Sequence, residues 1–451
     1  MYKNKLTVRQ RILVAGTLFG MFFGAGNLIF PIHLGQLAGS NSIPAMIGFI
    51  ITAAGVPILG VAAIAVSGSS GLQDLSSKVG KGYGYFFTCL LYLTIGPFFA
   101  IPRCASTSFS TGILPLLWPK ADEKWALLIF SALFFTVVLL FSLKPGKITV
   151  WIGKIINPIF LVLLAVLIVT AFINPMGSMS EISPDASYES GAFFSGMIEG
   201  YGTMDAIAGL AFGIIVIDII QKMGVKEDTA VAGEVLTSGF MTGILMAIIY
   251  VLTILIGAQS RGVLELSENG GIAFAEIFRY YYGSFGNVIL AVTITLACLK
   301  TALGLVTSCA KTFSQMFNEK LSYKSFAVIF TLVSFAISNV GLSAIISISV
   351  PVLMFIYPLT ITLILLAFAG KIFKLDRKVY ITVTVFTGIA AVFDLMKALP
   401  ESIRNALDLN VICEFVRKIL PLYDINLGWI FLAVLGFGVG LLITFISRRR
   451  R

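Results

Sequence analysis

Charge is scarce in this chain. Of its 451 residues only 12% are Asp, Glu, Lys or Arg, whereas 58% are hydrophobic. Soluble domains carry roughly 25% charged residues, so the roughly three soluble domains that the length alone suggests are excluded. Histidine is nearly absent. His33 stands alone, which rules out an HExxH zinc site, and a Ser-His-Asp triad would have to pass through His33 without any GxSxG partner. No Walker A stretch is present, so the chain does not run a nucleotide cycle by itself. The five cysteines, Cys89, Cys104, Cys298, Cys309 and Cys413, show no CxxC spacing; four fall in predicted spans and read as buried apolar thiols rather than a disulfide or metal set. No lipidation box is expected, because Tyr2 stands where myristoylation needs glycine and Arg448–Arg451 is no prenylation signal. The first apolar run lacks a small-residue cleavage site and reads as a retained helix.

What is abundant is apolar sequence in runs near 20 residues, each able to cross a hydrocarbon core of roughly 30 Å. Twelve spans are predicted: 9–38, 42–66, 83–112, 125–143, 149–173, 191–221, 229–258, 285–314, 325–340, 342–369, 378–396 and 426–447. The class is therefore an all-α polytopic membrane protein, one membrane domain over 1–451. The separators carry turn chemistry, as in Lys144-Pro145-Gly146-Lys147 and Asn174-Pro175-Met176-Gly177. Residues 397–424 place Leu399, Ile403, Leu407, Val411, Phe415 and Ile419 at helical spacing, the pattern of a surface-lying amphipathic helix. Residues 271–284 read as a shorter outer helix.

The net charge of +10 is an orientation signal. With the N-terminus inside, 21 of the 32 Lys and Arg fall in cytoplasmic segments and 8 in outer ones. Both termini are then cytoplasmic. The basic excess suits anionic lipid, not nucleic acid. The expected location is the cell membrane, with no cofactor and no obligate protein partner.

One stretch contradicts its surroundings. "GMFFGAGNLIFP", residues 20–31, lies inside span 1, yet carries Gly24-Ala25-Gly26-Asn27 at its centre and Pro31 about one turn later. Five spans on, span 6 is interrupted in the same way at "EGYGTMDA", Glu199–Ala206. An odd offset inverts the second unit relative to the first, so spans 1–5 (9–173) and 6–10 (191–369) form a 5+5 inverted repeat, with spans 11 and 12 (378–447) appended. Matching interruptions in two halves point to a transporter's binding site. Backbone amides left bare in hydrocarbon cost several kcal/mol each, so a broken helix survives there only against a polar cavity or buried in protein. The half-helix starting near Asn27 presents amides and a positive partial charge, which suit a carboxylate. The half-helix ending near Phe23 leaves carbonyls, those of Gly20 and Phe23 among them, which suit a cation. Carbonyls around Gly200–Thr203 suit an ammonium group. The sum is a receptor for a zwitterion with apolar walls, which fits an aliphatic amino acid. The competing reading is close helix packing through Gly20/Gly24, Gly196/Gly200, Gly209/Gly213 and Gly436/Gly440. It is preferred for the last two pairs, while the added Asn favours a site at Gly24–Asn27.

Four stretches, "FFGAGNLIFP" (22–31), "GPFFAIPR" (96–103), "EGYGTMDAIAGLAFG" (199–213) and "PVLMFIYPLTI" (351–361), resemble the LIV-II branched-chain amino acid:cation symporter family of BrnQ-like carriers, over nearly the whole chain. The resemblance implies the amino acid–polyamine–cation superfamily, a LeuT-like fold, and import of leucine, isoleucine and valine coupled to sodium or protons. It implicates Gly24, Ala25, Gly26 and Asn27 at the substrate carboxylate, and Gly200, Tyr201, Gly202 and Thr203 at the amine and side chain. It puts a cation, sodium in the simplest case, between carbonyls of Gly20 and Phe23 and the span-8 set Ala297, Lys300 and Thr301. At the last two span-8 positions the family usually carries hydroxyls, whereas this chain has Lys300-Thr301. A lysine ammonium at mid-membrane can take the place of a cation, which leads to the expectation of sodium independence with proton coupling through Lys300. The alternative is that Lys300 snorkels or pairs with an acid. Ser110 also stands near the position where the family tends to carry an acidic residue.

Arg103 needs partners at its depth: Glu199, Asp205 or helix-end carbonyls. A structural or gating ion pair is preferred over substrate contact. Glu199 and Asp205, which flank the span-6 break, read as proton carriers or as caps of the broken ends, capping being favoured for Asp205. Asp218 and Glu234 sit near cytoplasmic ends as gate salt bridges or solvated groups. His33 reads as a packing or hydrogen-bonding residue rather than a proton sensor. A secondary transporter is thus the leading reading, ahead of a membrane enzyme, with a transporter-derived receptor or channel as the alternative.

Overall fold

A computed structural model describes residues 5–118, 121–144, 149–370, 372–373 and 376–449. Pro145–Lys147 of the expected turn, and Tyr2, Lys3, Lys120, Lys371, Lys374, Arg450 and Arg451, lie outside the described residues. Within them there is no strand. The helices are α1 (Val8–Phe22), α2 (Gly26–Ala38), α3 (Ser42–Ile50), α4 (Val56–Val66), α5 (Leu72–Ser77), α6 (Lys81–Leu93), α7 (Ala100–Thr107), α8 (Glu123–Ser142), α9 (Asn157–Ile173) and α10 (Ala186–Glu189). They continue with α11 (Ala192–Glu199), α12 (Asp205–Lys222), α13 (Asp228–Ser260), α14 (Gly270–Met316), α15 (Tyr323–Ser338), α16 (Leu342–Ala369), α17 (Arg377–Ala398), α18 (Glu401–Ala406), α19 (Leu409–Ile419) and α20 (Gly428–Arg449). Among the described residues nine helical runs are long and apolar enough to cross a membrane, ten when the pair 192–203 and 205–222, bent by 45°, is one broken span.

Lipid-facing surfaces are visible in the packing. α8 exposes Ile129, Leu133 and Leu140 along one side, a stripe that is intelligible against hydrocarbon rather than water. Several helix starts away from the breaks are capped by side chains. Thr7 accepts from the Gln10 N–H, Asp122 from Lys124 and Trp125, Asn269 from Gly271 and Ile272, and Asp376 from Lys378. α2 begins without such a cap, so its first amides are not closed off by a local side chain.

Glycine brings α2, α3, α4, α11, α12 and α13 into backbone contact. A Cβ on Gly35 would stand 2.1 Å from the Ile254 carbonyl oxygen and one on Gly257 2.1 Å from that of Ile32, which fuses α2 to α13. Gly48 and Gly196 seal α3 against α11 in the same way, on the carbonyls of Phe193 and Ala45. Gly209 packs on the Pro57 carbonyl and Gly436 on that of Thr382. The packing reading of the Gly209/Gly213 and Gly436/Gly440 pairs therefore matches the contacts, and Gly196 joins them.

One expectation changes in detail and another holds. The 397–424 segment is two helices, α18 and α19, because Asp408 adopts a left-handed φ of 52° between them. The 271–284 helix is a separate unit, as expected: within the run α14, Gly283 leaves helical geometry (φ 58°) and divides it from span 8. His33 Nε2 lies 3.2 Å from the Ser267 carbonyl, a hydrogen-bonding position. Glu234 accepts from Arg11 at 2.6 and 2.7 Å and from the Leu6 amide, and Asp218 meets Lys222 and Lys311, so both acids are paired.

Candidate functional site

Span 1 is broken where the glycines stand. α1 stops at Phe22, α2 starts at Gly26, and Phe23 leaves helical geometry with ψ 86°. The Gly24 N–H turns to Asn27 Oδ1 at 2.9 Å. Among the described residues the amides of Ala25, Gly26 and Asn27 find no backbone carbonyl. Gly24 is required here: a Cβ would sit 2.7 Å from Thr301 Oγ1, and that hydroxyl is itself buried without a partner. Span 6 breaks at a 3-10 turn, Gly200–Thr203, closed by Met204 in the left-handed region (φ 65°) before α12 resumes at Asp205.

The two breaks are tied together by side chains. Asn27 Nδ2 donates to Asp205 Oδ2 and to Tyr250 Oη, the latter at 2.6 Å, and Tyr250 Oη lies 3.3 Å from Asp205 Oδ2. Asn27 thus spends its oxygen on span 1 and its amide on span 6 and α13. On the other flank Arg103 Nη1 donates to the Gly202 carbonyl at 2.8 Å and Nη2 to that of Thr203 at 3.3 Å. A guanidinium here satisfies two orphan carbonyls of a helix end with one planar group. Its carbon also lies 5.7 Å from the centre of the Phe30 ring.

One cavity gathers these groups. It is lined by Gly24, Ala25, Gly26, Asn27, Arg103, Thr203, Asp205 and Thr301, with Met21, Phe22, Ile95, Ala100, Cys104, Met204, Ala208 and Leu305 as its apolar walls. A second hollow shares Arg103 and is lined by Phe30, Glu199, Tyr201, Gly202 and Leu353 among others. Of the residues implicated at the substrate, then, Gly24–Asn27 and Thr203 meet in the central cavity, and Tyr201 and Gly202 line the second hollow. Gly200 packs away from both, where a Cβ would stand 2.1 Å from Thr52 Oγ1.

The expected ion pair of Arg103 is corrected. Neither Glu199 nor Asp205 forms a salt bridge with it among the described residues; the break's carbonyls take its charge instead. Asp205, expected as a cap, bonds across to Asn27, and Thr203 Oγ1 accepts the Asp205 N–H at 3.3 Å. Lys300 is fully buried, yet has no acidic partner among the described residues. Its Nζ donates to Asn157 Oδ1 at 3.2 Å and stands 3.5 Å from the centroid of Phe160 and 5.4 Å from that of Phe19, a desolvated cation–π seat. Asn157 Nδ2 in turn donates to the Gly16 carbonyl at 3.1 Å, so the ammonium reaches α1 through Asn157. Gly20 borders the same asparagine, 3.6 Å from its Cγ to a built Cβ, and Ala297 is buried on the same helix as Lys300.

Tyr250, Asn157 and Phe160 escaped the sequence reading. Each is a single polar or aromatic residue inside an apolar run ("AIIYVL", "IINPIF"). A lone Asn or Tyr hydroxyl at mid-span was the available signal.

Comparison with known proteins completes the picture. A family profile described as branched-chain amino acid transport protein matches residues 7–447. The chain is 46% identical to the branched-chain amino acid permease BrnQ of Lactobacillus delbrueckii subsp. lactis, over 99% of this chain and 100% of that one. It is 39% identical to BrnQ of Bacillus subtilis, over 96% of each, and 34% identical to BrnQ of Escherichia coli, over 95% and 94%. Among solved structures, MhsT in complex with L-phenylalanine superposes with a TM-score of 0.55 at 17% identity, covering 98% of this chain and 99% of that one. The likeness is one of fold, and the fold is LeuT-like.

Proposed function

The chain belongs to the branched-chain amino acid transport protein family, a family of integral membrane transporters rather than enzymes, and on that premise we propose that it imports leucine, isoleucine and valine across the cell membrane by alternating access. The observation that carries the reading is the joining of two broken spans by Asn27, Asp205 and Arg103 around one cavity. α2's uncapped amides face the substrate carboxylate; the carbonyls of Gly202 and Thr203, expected for the ammonium group, are held by Arg103, so the carbonyl end of α1 faces the ammonium group or a cation. The apolar walls take the aliphatic side chain.

Twelve crossings follow if the helical run 26–66 is divided at Gly39, whose φ is 48°, and if α1 and the shorter α15 are counted as parts of spans 1 and 9. Spans 1–5 and 6–10 are then inverted repeats, both termini are cytoplasmic, and the unit of spans 1, 2, 6 and 7, fused by the glycine contacts described above, tilts against the rest. Ligand favours an occluded state by binding it better than either open one. Saturable counterflow of labelled leucine in liposomes is expected; its absence would favour the receptor or channel reading.

For the coupling ion, Lys300 stands in for sodium and leaves the proton as the driving ion, with Lys300 a candidate carrier. Its seat on Asn157 and Phe160 beside α1 supports this. Uptake of labelled leucine is expected to be indifferent to sodium and to rise with an inward proton gradient. Lys300→Thr restores a hydroxyl beside Thr301 and is expected to create sodium dependence. Uptake that ignores sodium in both proteins would remove Lys300 from this role.

A further inference from the structure

The membrane interior holds a further ionisable group, away from the central cavity. Asp394 on α17 is 1% exposed, and among the described residues neither of its carboxylate oxygens has a hydrogen-bond partner. Tyr201 Oη and Trp429 Nε1 are buried and likewise unpartnered among the described residues. Tyr201 belongs to the 3-10 turn of the span-6 break and Trp429 to α20; Trp429 packs in one buried cluster with Ala390 of α17, against Ile198 of α11 and Ile361 of α16. The charged group nearest along the helix is Lys397, but its Nζ is held by the carbonyls of Tyr423 and Asp424 at 2.9 and 2.8 Å. Tyr423, from the turn before α20, gives its hydroxyl to the Phe393 carbonyl at 3.2 Å. Among the described residues no neighbour therefore neutralises Asp394 by direct contact.

An unpaired carboxylate inside a membrane span is expensive, and intramembrane acids are functional by default. A proton or a metal cation would relieve the cost. A cation wants several oxygens, and among the described residues no group of three ligating acids, cysteines or histidines exists. We propose that Asp394 is a proton-binding site, at the seam between the broken span 6 and helices α17 and α20, whose occupancy is read at the substrate cavity through Tyr201. The route is short. Tyr201 stacks on Tyr357 at 4.1 Å, and the two residues after it supply the carbonyls that hold Arg103. The step forms and breaks one O–H bond: a proton taken from the water on one side is returned to the water on the other.

The inference rests on the transport reading and on the proton as its driving ion, and adds to Lys300 a second group that takes that proton. Proteoliposomes separate the two. Wild-type protein without leucine counterflow would defeat the transport reading itself. With counterflow present, Asp394→Asn is expected to keep counterflow within about twofold while accumulation driven by a pH gradient falls roughly tenfold, inside the usual range of coupling energies. Accumulation equal to wild type, an equal loss of counterflow in a variant that elutes as folded protein, or wild-type accumulation driven by sodium but not by a pH gradient would each overturn the assignment. If Asp394→Asn is not recovered from the membrane, Trp429→Phe keeps the acid and removes the buried indole N–H that α20 packs against α17. The pH midpoint of uptake is then expected to move, and an unmoved midpoint would overturn the proposal.

Discussion

Leucine uptake by Asn27→Ala is expected to fall at least about thirtyfold. The asparagine is 2% exposed and makes three contacts, accepting from the Gly24 amide and donating to Asp205 and Tyr250. Alanine leaves the Gly24 N–H without its partner and Asp205 with only the longer contact to Tyr250. Each buried group left unsatisfied costs roughly 1–3 kcal/mol, and about 1.4 kcal/mol is tenfold in an equilibrium. Two such groups at the junction of the breaks are enough to empty the bound state or let the half-helices drift apart. Labelled leucine uptake at matched protein levels, with a melting curve beside it, reads both effects. Wild-type uptake by Asn27→Ala would mean that the breaks are held by packing alone and that their polar bridge is incidental.

An equally large loss is expected when the guanidinium of Arg103 is removed. Hydrogen bonds to charged groups contribute roughly 1.5–3 kcal/mol each, and Arg103 makes two, to the carbonyls of Gly202 and Thr203. Arg103→Met exposes both carbonyls to an apolar surrounding and is expected to cost about a hundredfold in uptake, or the folded protein itself. Arg103→Lys is the more telling variant. It keeps the charge but is a point donor that does not span two carbonyls in the way a planar fork does, so a loss of roughly tenfold is expected with the protein still folded. Were charge alone needed, as in an ion pair with Glu199 or Asp205, lysine would serve. Full activity of Arg103→Lys would therefore reinstate the ion-pair account that the geometry sets aside.

Much of this site was legible one residue at a time. Gly24–Asn27 and Glu199–Ala206 announced their breaks because helix-weak residues have no reason to sit at the middle of an apolar span. The depth of Lys300 and Arg103 was evident for the same reason, since charge is costly there. Their partners were not. Arg103 had three acceptable classes of partner in the sequence, and only the packing of α7 beside the Gly200–Thr203 turn selects the carbonyls. Lys300 could have met an acid or carbonyls of α1; the fold brings it Asn157 and Phe160, from a helix more than a hundred residues earlier. Gly200 carried the same motif signal as Gly202, yet one faces Thr52 and the other Phe30.

By itself the sequence determined that this protein lives in a membrane, that two of its crossings are interrupted, and which side chains lie at costly depth, because hydrophobic run length and local helix preference are properties of neighbouring residues. Only the tertiary structure decided who meets whom: Asn27 with Asp205 and Tyr250, Arg103 with the end of α11's turn, Lys300 with Asn157, Asp394 with no one. Those pairings depend on the rotation and spacing of helices far apart in the chain, which backbone-to-glycine contacts set and which no local pattern encodes.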